Sequence, residues 1–283
     1  MLRKLKENEY QQYLDFAYQL ALDPSRSCYP SYADGLKTRQ YFDSIAARAF
    51  QREHNELLLF EDNGEALGLI QYYAIPEDDY VQAQLFSVKA NVPQAMEELM
   101  AYLRERWAGC DFYVGVSEQN REAVETMERL GFRRHETSNV GVMRFKDYEL
   151  LPEPYPLTRI TRENFHRFAA LHARWDGEMY WDNAHLLEDL DDWHIYLYER
   201  DGQALGAIYF RYVDQSMEIF GWDFPDNRLN PEVLRALMIR TLNQSKSDGM
   251  ADLTVFHEDE ERPVLESVGV RWIDLYLGYV IKL

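Results

Sequence analysis

Leu57-Leu58-Leu59-Phe60-Glu61-Asp62-Asn63-Gly64-Glu65-Ala66-Leu67-Gly68-Leu69-Ile70-Gln71-Tyr72 is two apolar runs around a short polar turn. The same pattern returns as Ile195-Tyr196-Leu197-Tyr198-Glu199-Arg200-Asp201-Gly202-Gln203-Ala204-Leu205-Gly206-Ala207-Ile208-Tyr209-Phe210. Asn-Gly and Asp-Gly are pairs that tolerate positive φ, so each stretch predicts a β-hairpin closed by a tight turn. Gly202 stands 138 positions after Gly64 (202 − 64).

Working outward, Asp111 to Val116 and Asp252 to Phe256 read as short buried strands, each followed by a helical stretch that stops at a glycine. The stops are Leu130-Gly131-Phe132 and Val268-Gly269-Val270, where glycine takes the left-handed conformation and the next apolar residue packs back. Gly269 again follows Gly131 by 138 positions (269 − 131). Two separated landmarks with one offset identify an internal duplication.

Between the landmarks each half carries a strand and a helix: Val81 to Val88 then Pro93 to Arg106, and Met217 to Phe224 then Pro231 to Leu242. Met96, Leu99, Met100 and Leu103 make one helical stripe; Leu234, Leu237, Met238 and Leu242 make the other. Asn230 can cap the second helix with Pro231 at its first position. Helical openings, Tyr10 to Leu22 and Glu163 to Trp175, precede the hairpins, and a closing strand pair is expected in Arg133 to Phe145 and in Arg271 to Ile281. Three prolines between Pro152 and Pro156 favour an extended connector, so the halves are expected as 1–150 and 151–283. Each is an α/β unit, a mixed sheet flanked by helices.

Composition bounds the function. The 283 residues are 46% hydrophobic and carry a net charge of −19, from 49 acidic against 30 basic residues. That field repels nucleic acid and anionic membrane, and favours a cationic partner. Two distant cysteines, Cys28 and Cys110, form no metal or redox spacing and fit a reducing cytoplasm. No signal-like or spanning apolar run occurs, which predicts a soluble protein. No phosphate-binding Gly-rich loop, serine-nucleophile motif or zinc constellation is present.

The order of elements, with a Gly-ended helix before the last strands, resembles the GNAT superfamily of N-acetyltransferases over nearly the whole chain, twice. The sharpest match is Asn120-Arg121-Glu122-Ala123-Val124-Glu125-Thr126-Met127-Glu128-Arg129-Leu130-Gly131-Phe132, which is similar to the family's Asn-x-x-Ala-x-x-x-Tyr-x-x-x-Gly-Phe helix. The resemblance implies two tandem acyltransferase-like domains, an acetyl-CoA cosubstrate without a metal, and transfer of an acyl group to a small-molecule amine. It also implies cofactor contacts at Val88, Lys89 and Asn120 in the first half and at Phe224, Arg228 and Asn230 in the second. The oligomeric state is left open.

Both halves depart from the family at its Arg/Gln-x-x-Gly-x-Gly/Ala loop, whose glycines let backbone N–H groups reach the CoA pyrophosphate. The first half has no glycine from Val88 to Ala95; the second keeps Arg228 but puts Pro231 and Val233 where glycines belong. The family's proton-donating tyrosine is replaced by Met127 and Leu265, which cannot donate. Arg228 and the helix start at Asn230 favour the second half as the working site, the better-matching Asn120 to Phe132 helix favours the first, and the sequence leaves the two in conflict; the alternative is an inactive binding protein on the same fold.

Amide formation from a thioester needs a base for the amine's proton. The resemblance places it on the strand Met217 to Asp223, so Glu218 is the first candidate and Asp223 the weaker one. Gln82, at the corresponding place in the first half, cannot be a base. His166 and His172 belong to no metal-ligand spacing and read as structural or surface histidines. The acidic runs Glu188 to Asp192 and His257 to Glu261 suit either a solvated face or a cationic amine.

Overall fold

Both hairpins close through the turns their sequences demand: Asn63 and Gly64 have φ of 49° and 81°, Asp201 and Gly202 have 51° and 78°. A residue with Cβ tolerates that region poorly, which is why Asn-Gly and Asp-Gly stand there. The second glycine of each hairpin answers a different need. A Cβ on Gly68 would meet Val88 Cγ2 at 2.9 Å, and one on Gly206 would meet Val233 Cγ1 at 2.8 Å.

The structure is a computed structural model describing residues 1–29 and 32–283. Its contacts divide the chain into two units, Met1–Ser138 with Asp274–Leu283, and Asn139–Ile273. Unit 1 runs β1 (Leu2–Lys4), α1 (Gln11–Ala21), α2 (Arg39–Ala47), β2 (Asn55–Asp62), β3 (Glu65–Ile75), β4 (Tyr80–Val88), α3 (Val92–Arg106), β5 (Asp111–Ser117) and α4 (Arg121–Arg129). It then enters β6 (Arg133–Arg144), which continues into unit 2. Unit 2 follows with β7 (Thr158–Arg159), α5 (Phe165–His172), α6 (Asn183–Glu188), β8 (Trp193–Arg200), β9 (Gln203–Val213), β10 (Ser216–Asp223), α7 (Pro231–Ser247), β11 (Asp252–His257) and α8 (Arg262–Ser267). The last strand, β12 (Arg271–Lys282), begins in unit 2 and ends in unit 1.

Each unit has the same mixed sheet. In unit 1 the order is β1-β2-β3-β4-β5-β12, antiparallel except for the parallel pair β4 and β5. In unit 2 it is β7-β8-β9-β10-β11-β6, with β10 and β11 the parallel pair. One face of each sheet carries the opening helices: Leu14, Phe42 and Ile45 in unit 1, Phe168 and Leu186 in unit 2, all at 2% exposure or less. The other face carries the stripes expected from periodicity, Met96, Leu99, Met100 and Leu103 on α3 and Leu234, Leu237, Met238 and Leu242 on α7. Each such side chain, fully removed from water, contributes about 1.5–3 kcal/mol.

Both Gly-ended helices close in the Schellman geometry. Phe132 N–H donates to Met127 O and Gly131 N–H to Glu128 O; Val270 N–H and Gly269 N–H repeat this on Leu265 and Glu266.

Two expectations need correction. The closing runs are single strands rather than strand pairs, and each is divided between the units. Asn139–Arg144 of β6 pairs with β11, while Tyr276–Lys282 of β12 pairs with β5. Each half thus lends its last strand to the fifth strand of the other half. The units consequently part from the division expected near residue 151. The proline-rich connector has no regular secondary structure, bends at Pro154–Tyr155 and is fastened within unit 2: Leu151 exchanges hydrogen bonds with the Asn243 side chain, and Glu153 pairs with Arg240 at 3.1 Å.

A pH dependence follows from His194 in unit 2. Burial and the Arg159 guanidinium, 2.7 Å from Nδ1, lower its pKa to about 4. The folded state favours the neutral ring, so its contribution is present above the unfolded value of about 6.5 and is lost as pH falls through about 4. Discounted for solvent screening, the expected loss is about 1–2 kcal/mol. Melting temperatures from pH 7 to pH 4 should fall more steeply for the natural protein than for His194→Phe; parallel curves would refute this.

Candidate active site

Parallel strands that separate partway along their length open a slot in a sheet, and each unit has one such pair. In unit 1, β4 pairs with β5 from Tyr80↔Asp111 to Gln82↔Tyr113, and no further. Beyond that point the chain itself enters the gap. Val88 N–H donates to Arg26 O at 3.0 Å and Tyr29 N–H to Gly115 O at 2.8 Å, while Cys28 forms a β-bridge to Val116. Asn120 Nδ2 donates to Ser27 O at 3.1 Å, and Arg26 Nη1 to Lys89 O at 3.0 Å. Asp274 secures the insert, accepting from Tyr29 Oη at 2.8 Å and from Ser117 Oγ at 2.9 Å. Cys28 is buried there, which pushes its thiol up to about 12.

The structure therefore brings Val88, Lys89 and Asn120 together, but around residues 26–29. The Val88 amide and the Asn120 side-chain amide are occupied by that segment, and the Lys89 ammonium lies 2.7 Å from Glu65.

In unit 2, β10 runs parallel to β11 from Ser216↔Asp252 to Ile219↔Val255. The register between β9 and β10 then shifts between Ile219 and Gly221, a bulge at Phe220. Bulges re-aim side chains and end pairing, and this one sits where β10 and β11 stop pairing. Glu218 lies two residues before it, half-buried, in a row that runs Trp193, Arg211, Glu218, Thr254 across four strands. Laterally paired residues share a face, and Phe220 and Trp193 pack with Phe168 and Leu186, which places Glu218 on the α5 and α6 side.

Asp223 is elsewhere in chemical terms. It is wholly buried, accepting from His172 Nδ1 at 2.7 Å, Trp175 Nε1 at 3.0 Å and Arg174 Nη2 at 3.1 Å. His172 is equally buried, with its Nε2 2.9 Å from Trp181 O. This network ties the segment between α5 and α6 to β10. His172 is structural, as its sequence context predicts.

The opposite face of the slot carries a contact that the sequence does not announce. Trp222 Nε1 donates to Glu261 Oε1 at 2.8 Å, joining β10 to the start of α8. Glu261 is 8% exposed, and burial raises its pKa. Its place, immediately before the last helix, is that of Asn120 in unit 1. The constant offset of 138 points instead to Glu258, because α8 is three residues shorter than α4 and the repeat slips between its landmarks.

The α7 N-terminus offers an anion little. Pro231 has no N–H, Val233 N–H is capped by Asn230 Oδ1 at 3.2 Å, and Leu234 N–H bonds Asn230 O at 2.9 Å. Glu232 N–H remains, beside its own carboxylate. Arg228 is exposed just upstream. Phe224 faces the core, its ring 3.0 Å from where a Gly206 Cβ would stand. The residues thus suit a pyrophosphate only in part. Among the described residues no group of three or more His, Cys, Asp or Glu side chains could hold a metal ion, and no helix is long and apolar enough to cross a membrane.

Comparison with solved structures identifies the architecture. A GCN5-related N-acetyltransferase from Sphaerobacter thermophilus matches 100% of this chain and 95% of its own, with a TM-score of 0.63 at 12% identity. A tandem GNAT protein from the clavulanic acid biosynthesis pathway matches 100% and 98%, with a TM-score of 0.56 at 11% identity. A GCN5-related N-acetyltransferase from Kribbella flavida matches 76% and 87%, with a TM-score of 0.55 at 13% identity. No protein-family model and no curated protein matches the chain.

Proposed function

We propose that this chain, which has the tandem GCN5-related N-acetyltransferase fold, is an acyl-CoA-dependent N-acyltransferase whose chemistry is confined to unit 2. The observation that carries the reading is Glu218, held on β10 two residues before the bulge where β10 and β11 stop pairing. A carboxylate there can take the proton that an amine loses as its nitrogen bonds the acyl carbon and the carbon–sulfur bond breaks. The departing thiolate then takes a proton, leaving an amide and free CoA. Unit 1 has Gln82 at the equivalent register and its own backbone in the gap, so it serves as scaffold. The net charge of −19 favours a small-molecule amine over nucleic acid or anionic lipid. Cys28 and Cys110, both free and buried, accord with a reducing cytoplasm.

A second reading is a binding protein that kept the fold and lost the chemistry, favoured by the Trp222–Glu261 contact across the slot and by the poor phosphate cradle at α7. Calorimetric titration with acetyl-CoA and with free CoA separates the two. The transferase reading expects saturable binding in the micromolar to millimolar range, weakened about 3- to 10-fold in Arg228→Ala by loss of one exposed charge-assisted contact. No heat up to millimolar cofactor would overturn it in favour of the binding protein.

A further inference from the structure

Buried donors without acceptors are rare in folded proteins, because each costs about 1–3 kcal/mol. Unit 2 places two of them in one cluster. Trp193 Nε1 and Arg211 Nε are both buried atoms without a hydrogen-bond partner, and their residues are direct neighbours in the β8–β9 register. The Arg211 guanidinium lies 4.9 Å from the Phe220 ring centre, 5.1 Å from Trp181 and 5.6 Å from Trp193. Three ring faces flank the guanidinium, and its Nε–H is left without an acceptor. Arg211, Trp181 and Phe220 are each only half-buried, so part of the cluster meets solvent while the two N–H groups lie beneath it.

The position connects the cluster to the chemistry. Arg211 stands between Trp193 and Glu218 in the cross-strand row. Trp181, which covers it, lies in the segment tied down by the His172–Asp223 pair. A planar cation with an unmet N–H, beside a second unmet N–H, is suited to a planar anion. Its aromatic surroundings suit the apolar body that carries it.

We propose that Arg211 and Trp193 form the acceptor subsite of unit 2 and bind a carboxylate, so that the acceptor is an amine that also bears a carboxylate group. This deepens the transferase reading and rests on it for the word acceptor; the binding itself does not. It also narrows the expectation of a cationic amine to one whose own anion is met by Arg211.

The test is binding, read from tryptophan fluorescence, which Trp181 and Trp193 report directly. Phenylacetate, phenethylamine and phenyl phosphate present the same ring on a carboxylate, an amine and a phosphate. The natural protein should bind phenylacetate with a Kd of about 1 mM or below and bind phenethylamine at least about 10-fold more weakly, the range of one charge-assisted contact. Arg211→Lys, which keeps the charge and loses the planar fork, should weaken phenylacetate about 10-fold. Trp193→Phe, which keeps the ring and loses the N–H, should weaken it about 3-fold or more. Melting curves identify any variant that fails to fold, and Trp193→Phe then decides the case.

Equal binding of phenethylamine, tighter binding of phenyl phosphate, an unchanged Kd in a folded variant, or no phenylacetate binding by about 10 mM would each overturn the assignment. Failure of acetyl transfer alone would sink the transferase reading and leave the carboxylate subsite standing.

Discussion

Asp223→Ala is expected to destabilise the protein by about 3–5 kcal/mol, the cost of breaking a buried ion pair by removing one partner. The carboxylate has no exposure and accepts from His172, Trp175 and Arg174. Its removal leaves three donors in a closed space without an acceptor. Asp223→Asn should lie between, since an amide oxygen can still accept but the charge is gone. Urea denaturation followed by tryptophan fluorescence measures the difference. A loss below about 1 kcal/mol would mean that the network contributes far less than a buried ion pair does. The damage should also reach the Trp181 ring beside Arg211, because His172 Nε2 donates to Trp181 O.

The second large effect is catalytic. On the transferase reading proposed above, Glu218→Gln should lower kcat for amide formation about 10²- to 10⁴-fold, the usual contribution of a general base. Affinity for acetyl-CoA should be unchanged, because the side chain faces the α5 and α6 side rather than α7. Raising the pH should restore part of the rate, since a larger share of the amine then arrives already deprotonated. Steady-state kinetics with thiol release as readout gives both parameters. An unchanged kcat would remove Glu218 from the mechanism.

The sequence carried the fold well because the features that define it are local. Turn dipeptides at Asn63 and Asp201, left-handed stops at Gly131 and Gly269, and the α3 and α7 stripes depend on near neighbours alone, and each is found where periodicity and turn chemistry place it. What periodicity cannot see is which strand of the second half completes the sheet of the first. β6 and β12 have the same length and the same place after a Gly-ended helix, and only long-range pairing distinguishes their partners.

The site was less legible for the same reason. Glu218 and Gln82 do occupy matching places in the parallel pairs of their units, as the order of strands in the sequence suggests. Residues 26–29 look like ordinary loop, and their role comes from amides and carbonyls on β4 and β5, which no side chain encodes. Glu261 was hidden by a three-residue shortening of one helix. Arg211 and Trp193 sat inside an aromatic strand run whose burial was expected; the two donors without acceptors emerge only when every polar atom is accounted for.

The lending of β6 and β12 sets a clock on the molecule. β5 waits for a partner about 165 residues further along the chain (282 minus 117), whereas β11 finds β6 already synthesised. On a ribosome adding about 5–20 residues per second, the edge of β5 stays unsatisfied for roughly ten seconds or more. Unit 2 can close its sheet before β12 emerges; unit 1, though it begins first, finishes last. A bare strand edge of that kind invites pairing with a neighbouring chain. The alternating apolar residues of β5 are therefore where a second nascent copy would most readily exchange its own β12, and dense translation of one message is the circumstance that would favour it.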